Sequence, residues 1–284
     1  MMTNMSLIRE DVKFGLKKLF KIMGIDVRRG KRRRKLMLKS RVPVSKIKSL
    51  MCKRGLALNE SGRPTWFYSA YYREDSDPLT NYTLDFICEE VPKESNILVT
   101  GCGTGIMLFY LIDQGFKNVE GFDFLDKCVL VANDIAKMGK YNTKIWRDDG
   151  FNPSLQKKYD LITAMHWVFS AWAGNYGNDC VSIQEAKSLE TRERLLFDFL
   201  SKYSPHLNPG GMLIVELIDA VADYRLPSDS LSGIVTTVSD IYPVRHTPDQ
   251  VSKCAEQCGL KVVSYNMCYS YGHQPRTSYV IKKL

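Results

Sequence analysis

Residues 96–105 read Asn-Ile-Leu-Val-Thr-Gly-Cys-Gly-Thr-Gly, a short apolar run that ends in three alternating glycines. The apolar run predicts a buried strand, and the glycines predict a tight turn, because glycine tolerates positive φ and lets a ligand approach the backbone. A helical pattern follows at once, and the free amides at a helix N-terminus attract the negative end of a ligand. The stretch therefore predicts a ligand site at the carboxyl end of a strand, where open α/β sheets bind their ligands.

Strand and helix patterns alternate on the carboxyl side of this turn. Predicted strands cover residues 97–100, 119–122, 144–146, 160–165 and 212–217, and predicted helices cover residues 104–115, 126–138 and 188–203. A helix over 247–258 and strands over 261–265 and 278–282 close the chain. Alternation of elements of this length predicts an α/β fold with a doubly wound, mostly parallel sheet.

Length and composition limit the class of protein. The chain has 284 residues, enough for one large α/β domain with an extension, and its apolar content of 44% is that of a globular protein. It lacks a continuous apolar run of transmembrane length and the pattern of a secretory signal. The eight cysteines are scattered without a paired CxxC spacing, which predicts no metal site and a reduced, cytoplasmic location.

The positive charge is concentrated at the N-terminus. Residues 1–54 hold 18 of the 40 basic residues but only 3 of the 31 acidic ones, so the rest of the chain is net acidic. Apolar residues at helical spacing in 7–23, with lysines on the other side, predict a basic amphipathic helix. We expect a basic N-terminal extension over residues 1–59 and a main domain over 60–284. Residues 7–41 suit an anionic membrane surface, at the inner face of the membrane. The alternatives are a helix packed on the main domain, a solvated tail, or contact with nucleic acid.

The spacing of the glycines separates two families of nucleotide-binding enzymes. Hydride-transfer enzymes carry GxGxxG, whereas this chain has GxGxG. Four features occur in the order that is typical of one family. They are the Gly-Cys-Gly-Thr-Gly turn, the acid at 123, the segment 159–167 that begins Tyr-Asp-Leu-Ile, and the Asn-Pro-Gly-Gly turn at 208–211. Together they resemble the class I S-adenosylmethionine-dependent methyltransferases over roughly residues 80–284. The resemblance implies a seven-stranded Rossmann-like sheet, S-adenosylmethionine as cofactor, and methyl transfer as activity.

The resemblance also assigns cofactor-binding residues. The residues it implies are Thr100, Gly101, Cys102, Gly103, Thr104 and Gly105 in the turn, Asp123 for the ribose hydroxyls, Phe124 against the adenine, Asp148 or Asp149 at the adenine amino group, and Met165 after the fourth strand. Asp123 has a structural alternative as a turn or N-cap residue. Val99 departs from the family pattern, which usually has an acid at that position.

The acceptor side of the site is less defined by the sequence. A general base is needed only if the acceptor must lose a proton, and His166, at the carboxyl edge of the fourth strand, is the leading candidate. Its alternative is a structural or cofactor-side role. Candidate acceptor-binding residues are Tyr68 and Tyr72 before the core, Trp167, Trp172 and Tyr176 after the fourth strand, His246, and the segment 219–245. The alternative for these aromatic residues is ordinary packing.

Several functions compete for this pattern. The favoured one is methylation of an oxygen or nitrogen atom in a small-molecule or glycan-type acceptor near a membrane. An RNA methyltransferase that uses the basic arm is less favoured, because the main domain is acidic and lacks the (N/D)PP(F/Y) signature after Asp160. A non-catalytic cofactor-binding module has Val99 as its only support, and the glycine spacing disfavours an NAD-dependent reductase.

Overall fold

A computed structural model describes residues 40–58, 62, 65–72, 78–177, 179–220, 242–270 and 274–284. The predicted basic helix, all but the last two residues of segment 7–41, and most of segment 219–245 lie outside these ranges. Within them, every helix is too short or too polar to cross a bilayer.

The elements alternate as the sequence predicts. The helices are α1 (Val44–Lys53), α2 (Trp66–Tyr72), α3 (Pro78–Glu90), α4 (Ile106–Asp113), α5 (Asp126–Gly139), α6 (Val168–Trp172), α7 (Ile183–Ala186), α8 (Leu189–Tyr203) and α9 (Pro248–Gln257). The strands are β1 (Asn96–Thr100), β2 (Asn118–Asp123), β3 (Ile145–Arg147), β4 (Tyr159–Ala164), β5 (Leu207–Ile218), β6 (Leu260–Ser270) and β7 (Gln274–Lys283).

The strands form one sheet in the order β3-β2-β1-β4-β5-β7-β6. Strands β1 to β5 pair in parallel, and β7 runs antiparallel between β5 and β6. The predicted doubly wound, mostly parallel seven-stranded sheet is therefore confirmed. Because β1 lies between β2 and β4, the chain reverses its direction of winding at β1, and the carboxyl ends of β1, β2 and β4 border the same crevice.

Each central strand is buried on both faces, with alternate side chains in different cores. Ile97 and Val99 belong to the core under α1, α4 and α5, whereas Leu98 belongs to the core under α8 and α9. In β4, Leu161 faces the first core and Ile162 the second. This two-sided burial explains why the strands read as continuous apolar runs in the sequence.

The last part of the predicted extension packs on the main domain. Ile47 and Met51 of α1 are fully buried in the first core. Ahead of α1, the Nε of Arg41 lies 2.7 Å from Oδ1 of Asp113, and its backbone amide donates to the Tyr141 hydroxyl at 2.7 Å. Residues 41–53 thus join the body of the fold, although the sequence placed them in the extension.

Candidate functional site

The glycine turn after β1 has the backbone that its sequence predicts. Gly101, Gly103 and Gly105 have φ values of 58°, 55° and 89°, in the left-handed region that favours glycine. The amide of Cys102 donates to the carbonyl of Phe122 at 2.9 Å, which ties the turn to β2. A Cβ on Gly103 would lie 3.3 Å from the ring of Phe67, so the turn passes close beneath helix α2.

Gly101 offers a test of this backbone by substitution. A Cβ there would lie 2.3 Å from Trp167 Cδ1, and the φ of 58° adds strain. We expect Gly101→Ala to lower the free energy of unfolding by about 2–5 kcal/mol, combining backbone strain with overpacking. Gly259→Ala is the matched control, because Gly259 has a φ of 68° and no neighbouring atom within 4 Å of the added Cβ. Urea unfolding that shows equal losses for both variants would contradict the close packing at Gly101.

Asp123 ends β2 directly beside this turn. Its Oδ2 accepts a hydrogen bond from the Gly103 amide at 2.7 Å, and its Oδ1 accepts one from the Leu125 amide at 2.9 Å. Burial raises the pKa of this carboxyl, and the two amide bonds oppose the rise. Each carboxylate oxygen has about two lone pairs, so both can accept further bonds from a ligand. Asp123 therefore acts as a turn residue, which was the alternative interpretation of its sequence position. Its remaining lone pairs also allow it to bind the ribose hydroxyls of a cofactor.

Other residues predicted to bind the cofactor through their side chains already have protein partners. Thr100 Oγ1 donates to the carbonyl of Thr163 at 2.8 Å and accepts from Trp167 Nε1 at 3.1 Å. With 1% of its surface exposed, the Thr100 side chain holds β1 to β4 and does not face a ligand. Burial raises the pKa of the Cys102 thiol well above its usual value, which leaves Cys102 a protonated, inert group in the turn.

The two acids after β3 both stabilise local turns. Asp148 accepts bonds from the amides of Asp149 and Ser154, both at 2.9 Å. Asp149 accepts from the amide of Phe151 at 2.9 Å. Both are partly exposed, and the choice between them at the adenine stays a prediction.

Phe124 stands at the outer rim of this region. It is 37% exposed, and the guanidinium of Arg147 lies 5.6 Å from its ring centroid. Met165, on the inner side, is 4% exposed and its sulfur lies 3.9 Å from Thr83 Oγ1. Their contact with the cofactor stays a prediction.

Helix α2 covers the glycine turn through residues other than the two predicted tyrosines, Tyr68 and Tyr72. The Tyr71 hydroxyl donates to the carbonyl of Thr104 at 2.6 Å, and Phe67 lies over Gly103. Tyr68 instead packs against the first core, with Lys48 Nζ 5.8 Å from its ring. The Tyr72 side chain lies outside what the structure describes. The cluster of aromatic residues at 66–72 drew attention to this helix, but it did not indicate which side chains face the glycine turn.

Three residues predicted to bind the acceptor lie in the second core instead. Trp172 is 5% exposed and stacks on Phe151 with centroids 6.0 Å apart. Trp167 lies edge-on to Phe151 at 5.3 Å, beneath Gly101. His246 is fully buried, and burial lowers its pKa to about 4. Because Trp172 and His246 are buried, neither side chain is available to an acceptor, whereas the partly buried Trp167 lies against Gly101 and its role in the acceptor pocket stays a prediction.

Tyr176, predicted to bind the acceptor, is partly buried. Burial raises the pKa of Tyr176 and of Tyr242, and a hydrogen bond with Ser170 opposes both shifts. The charge of Asp123 acts on Tyr176, and the charges of Arg276 and Glu216 act on Tyr242. Tyr176 is therefore within electrostatic range of Asp123, and Tyr242 is within range of a buried charged cluster.

That charged cluster surrounds His166. Its ring Nδ1 lies 3.0 Å from Glu216 Oε2 and 3.0 Å from Arg276 Nη1, and its Nε2 lies 2.7 Å from Thr80 Oγ1. Glu216 is fully buried and also forms an ion pair with Arg276, while the His166 side chain keeps 17% of its surface exposed. Burial alone would raise the pKa of Glu216, but the charges of His166 and Arg276 lower it to about 2.

Sequence reasoning found His166 but missed its partners. The one available signal was Glu216 itself, a lone charge in the apolar run 213–218 of β5. A charge in such a strand needs a partner, because burying it alone is costly. No pattern in the sequence identified Arg276 or Thr80 as that partner. Within the described residues, no group of acidic, histidine and cysteine side chains is arranged to hold a metal ion.

Comparison with known proteins agrees with this geometry. The profile of a family described as a methyltransferase domain matches residues 70–170. A mouse protein, EEF1A lysine methyltransferase 2, is 24% identical over 143 residues, which cover 47% of this chain and 53% of that protein. The chain thus spans about half the length of this curated relative.

Solved structures share the fold at low sequence identity. Magnesium protoporphyrin IX methyltransferase from Synechocystis, solved with bound S-adenosylhomocysteine, superposes with a TM-score of 0.51 at 14% identity, over 72% of this chain and 82% of that one. An S-adenosylmethionine-dependent methyltransferase from Clostridium acetobutylicum gives a TM-score of 0.51 at 15% identity, over 72% and 90% of the two chains. These likenesses establish the architecture that surrounds the glycine turn.

Proposed function

We propose that the chain is a class I S-adenosylmethionine-dependent methyltransferase that transfers a methyl group to an oxygen or nitrogen atom of a small-molecule or glycan-type acceptor. The observation that carries the proposal is the junction of Gly103 and Asp123, where a buried carboxylate is held against the amide of a positive-φ glycine turn.

The described residues fit S-adenosylmethionine. The turn between β1 and α4 has three glycines with positive φ, and the absence of their side chains lets a ligand approach this backbone once Phe67 moves aside. Asp123 keeps lone pairs for two ribose hydroxyls beside that turn. When bound, the cofactor supplies an electrophilic methyl group on a positive sulfur. The protein then has to position the acceptor, exclude water and, for some acceptors, remove a proton.

Val99 does not remove this capacity. Its side chain is 3% exposed and lies in the first core, where it packs as an ordinary strand residue. The backbone of the turn and Asp123, which form the proposed cradle, do not depend on that side chain. This argues for a cofactor-binding enzyme and against a module that lost the site.

A lysine side chain of a protein is the second candidate acceptor. Its support is the similarity to a lysine methyltransferase, which covers about half of each chain.

The contact of residues 7–41 with an anionic membrane from the cytoplasmic side remains a proposal that rests on their basic amphipathic pattern. Sedimentation of the full chain with phosphatidylglycerol vesicles tests it, and failure to sediment at low salt would remove it.

Transfer of label from cofactor to acceptor tests the proposed function. We expect the purified chain to move the methyl group of S-[methyl-¹⁴C]adenosylmethionine into one fraction of a cell extract separated into small molecules, lipid-linked glycan, protein and RNA. Label in small molecules or glycan supports the main proposal, and label in protein supports the second candidate. Label confined to RNA, or absent from every fraction, would contradict both.

A further inference from the structure

Two helices outside the crevice form a surface that the proposed function leaves unexplained. Helices α1 and α5 both bury one side in the first core. Ahead of α1, Arg41 Nη1 donates to the carbonyl of Lys140 at the end of α5, at 3.3 Å. Behind α1, a Cβ on Gly55 would lie 3.9 Å from Nζ of Lys127, near the start of α5. The two helices therefore lie side by side in opposite directions, and their exposed sides face away from the same core.

The exposed side of α5 carries lysines and aliphatic side chains together. Lys127, Leu130, Lys137 and Met138 are all exposed, and their spacing places them on one side of the helix. Leu130 keeps 45% of its surface exposed and Met138 keeps 43%. A single exposed apolar side chain is ordinary, but two on the same side between lysines form the pattern of a helix that lies on a membrane surface.

Helix α1 adds positive charge beside this side of α5. Residues 41–58 contain five basic residues and no acid, and α1 follows directly on residues 28–41, which hold nine basic residues and no acid. Lys46 and Lys53 are exposed and lie seven residues apart, so they project from the same side of α1. We define the α1–α5 face by Lys46, Lys53, Lys127, Leu130, Lys137 and Met138.

Neighbouring acids do not cancel the charge of the α1–α5 face. Asp126 forms an ion pair with Arg147 at 3.4 Å, and Asp134 forms one with Arg54 at 3.8 Å, so both acids of α5 are paired with arginines. In the part of the chain that the structure describes, the four lysines of the face form no ion pair. Each lysine close to an anionic bilayer strengthens binding by about 5-fold, so four of them give a sizeable attraction.

The aliphatic side chains identify a bilayer as the occupant of this face. Leu130 and Met138 gain nothing from phosphate groups, whereas the acyl chains just below lipid headgroups can bury them. RNA would match the lysines through its phosphates, but it would leave both aliphatic side chains in water, because bases stack on aromatic rings.

We propose that the α1–α5 face is a docking surface for an anionic lipid bilayer, through which the folded domain itself binds a membrane. The inference goes beyond the proposed function and does not depend on it. The face lies on the outer side of the helices, whereas the crevice opens at the carboxyl ends of the strands. Docking should therefore leave cofactor binding unchanged.

Flotation of the full chain with lipid vesicles at low salt tests the proposal. Vesicles of phosphatidylglycerol and phosphatidylcholine should carry the wild-type chain, and vesicles of phosphatidylcholine alone should carry much less. We expect Lys127→Gln with Lys137→Gln to weaken binding to the anionic vesicles ~10–30-fold. Leu130→Gln with Met138→Gln should weaken it ~10-fold. All four positions are exposed, so thermal unfolding and the affinity for S-adenosylhomocysteine should match those of wild type.

A matched control comes from helix α8, which packs in the second core. Phe197→Gln with Lys202→Gln removes an exposed apolar side chain and an exposed lysine there, and this variant should bind vesicles as wild type does.

A second background separates the face from the basic run that precedes it. This full-length variant carries Arg32→Gln, Arg33→Gln and Arg34→Gln, which lower the charge of residues 28–41. Adding Lys127→Gln and Lys137→Gln to it should weaken vesicle binding by the same factor as in the wild-type background, because the face acts independently of the run.

Direct contact with lipid is measured by photocrosslinking. Benzoylphenylalanine in place of Leu130 should form adducts with phosphatidylglycerol, and in place of Phe197 it should not. The proposal is overturned if wild type does not bind the anionic vesicles, or if both pairs of substitutions in α5 leave vesicle binding unchanged. It is also overturned if the lysine pair abolishes binding to RNA while vesicle binding stays at the wild-type level. A chain that docks on vesicles but transfers no methyl group would remove the proposed function alone.

Discussion

Replacing Asp123 by Ala is expected to weaken the binding of S-adenosylhomocysteine by at least ~10²-fold, the loss of two hydrogen bonds to a charged acceptor. The carboxylate is 7% exposed and is held by the Gly103 and Leu125 amides, so it is preorganised for the ribose. Calorimetric titration measures the affinity, and thermal unfolding shows whether the variant keeps its fold.

Asp126→Ala is the matched control for this prediction. Asp126 lies three residues further on, is largely exposed, and forms a surface ion pair with Arg147 at 3.4 Å. Such pairs contribute little, so we expect unchanged affinity and stability. Equal affinities for wild type and the folded Asp123→Ala variant would remove Asp123 from the cofactor site.

The second large effect is on stability and concerns Glu216. Glu216→Leu is expected to lower the free energy of unfolding by about 3–5 kcal/mol, because it removes the fully buried carboxylate that forms an ion pair with Arg276. Arg276 is 6% exposed, so water cannot replace the carboxylate. The double variant Glu216→Leu, Arg276→Leu should lose much less, since it removes both charges together. Chemical denaturation of the two variants measures the difference, and equal losses would contradict the buried pair.

Acid should weaken the stabilisation that the buried Glu216–Arg276 ion pair provides. The pKa of Glu216 is lowered from its usual 4.5 to about 2, so the folded state favours the ionised form. A depressed carboxyl pKa stabilises the fold above the unfolded pKa, and that stability is lost as pH falls through 4.5 toward 2. The shift corresponds to roughly 3 kcal/mol. The difference in stability between wild type and the double variant should therefore shrink in that window.

The parts of the site that the sequence could predict are local ones. The glycine turn lies at 101–105 and its acid at 123, and both follow strands that the apolar runs identify. Parallel pairing of β1 with β2 then brings their ends together without further information. The same logic gave the order of strands and helices.

The parts that the sequence could not predict depend on distant residues. Thr80, Glu216 and Arg276 come from α3, β5 and β7, and only the antiparallel insertion of β7 beside β5 brings the last two together. Trp172 and His246 resembled pocket residues because they flank the core elements in the sequence. Their burial depends on how α6 packs against the second core, which residue type does not reveal.

A crystal structure of the full chain with S-adenosylhomocysteine tests the central claim most directly. We predict the ribose hydroxyls within hydrogen-bonding distance of both Asp123 oxygens, the homocysteine along the turn at 101–105, and the sulfur directed toward His166. Density for the ligand at another site, or a glycine turn that stays covered by Phe67 with Asp123 bound only to its two amides, would contradict it.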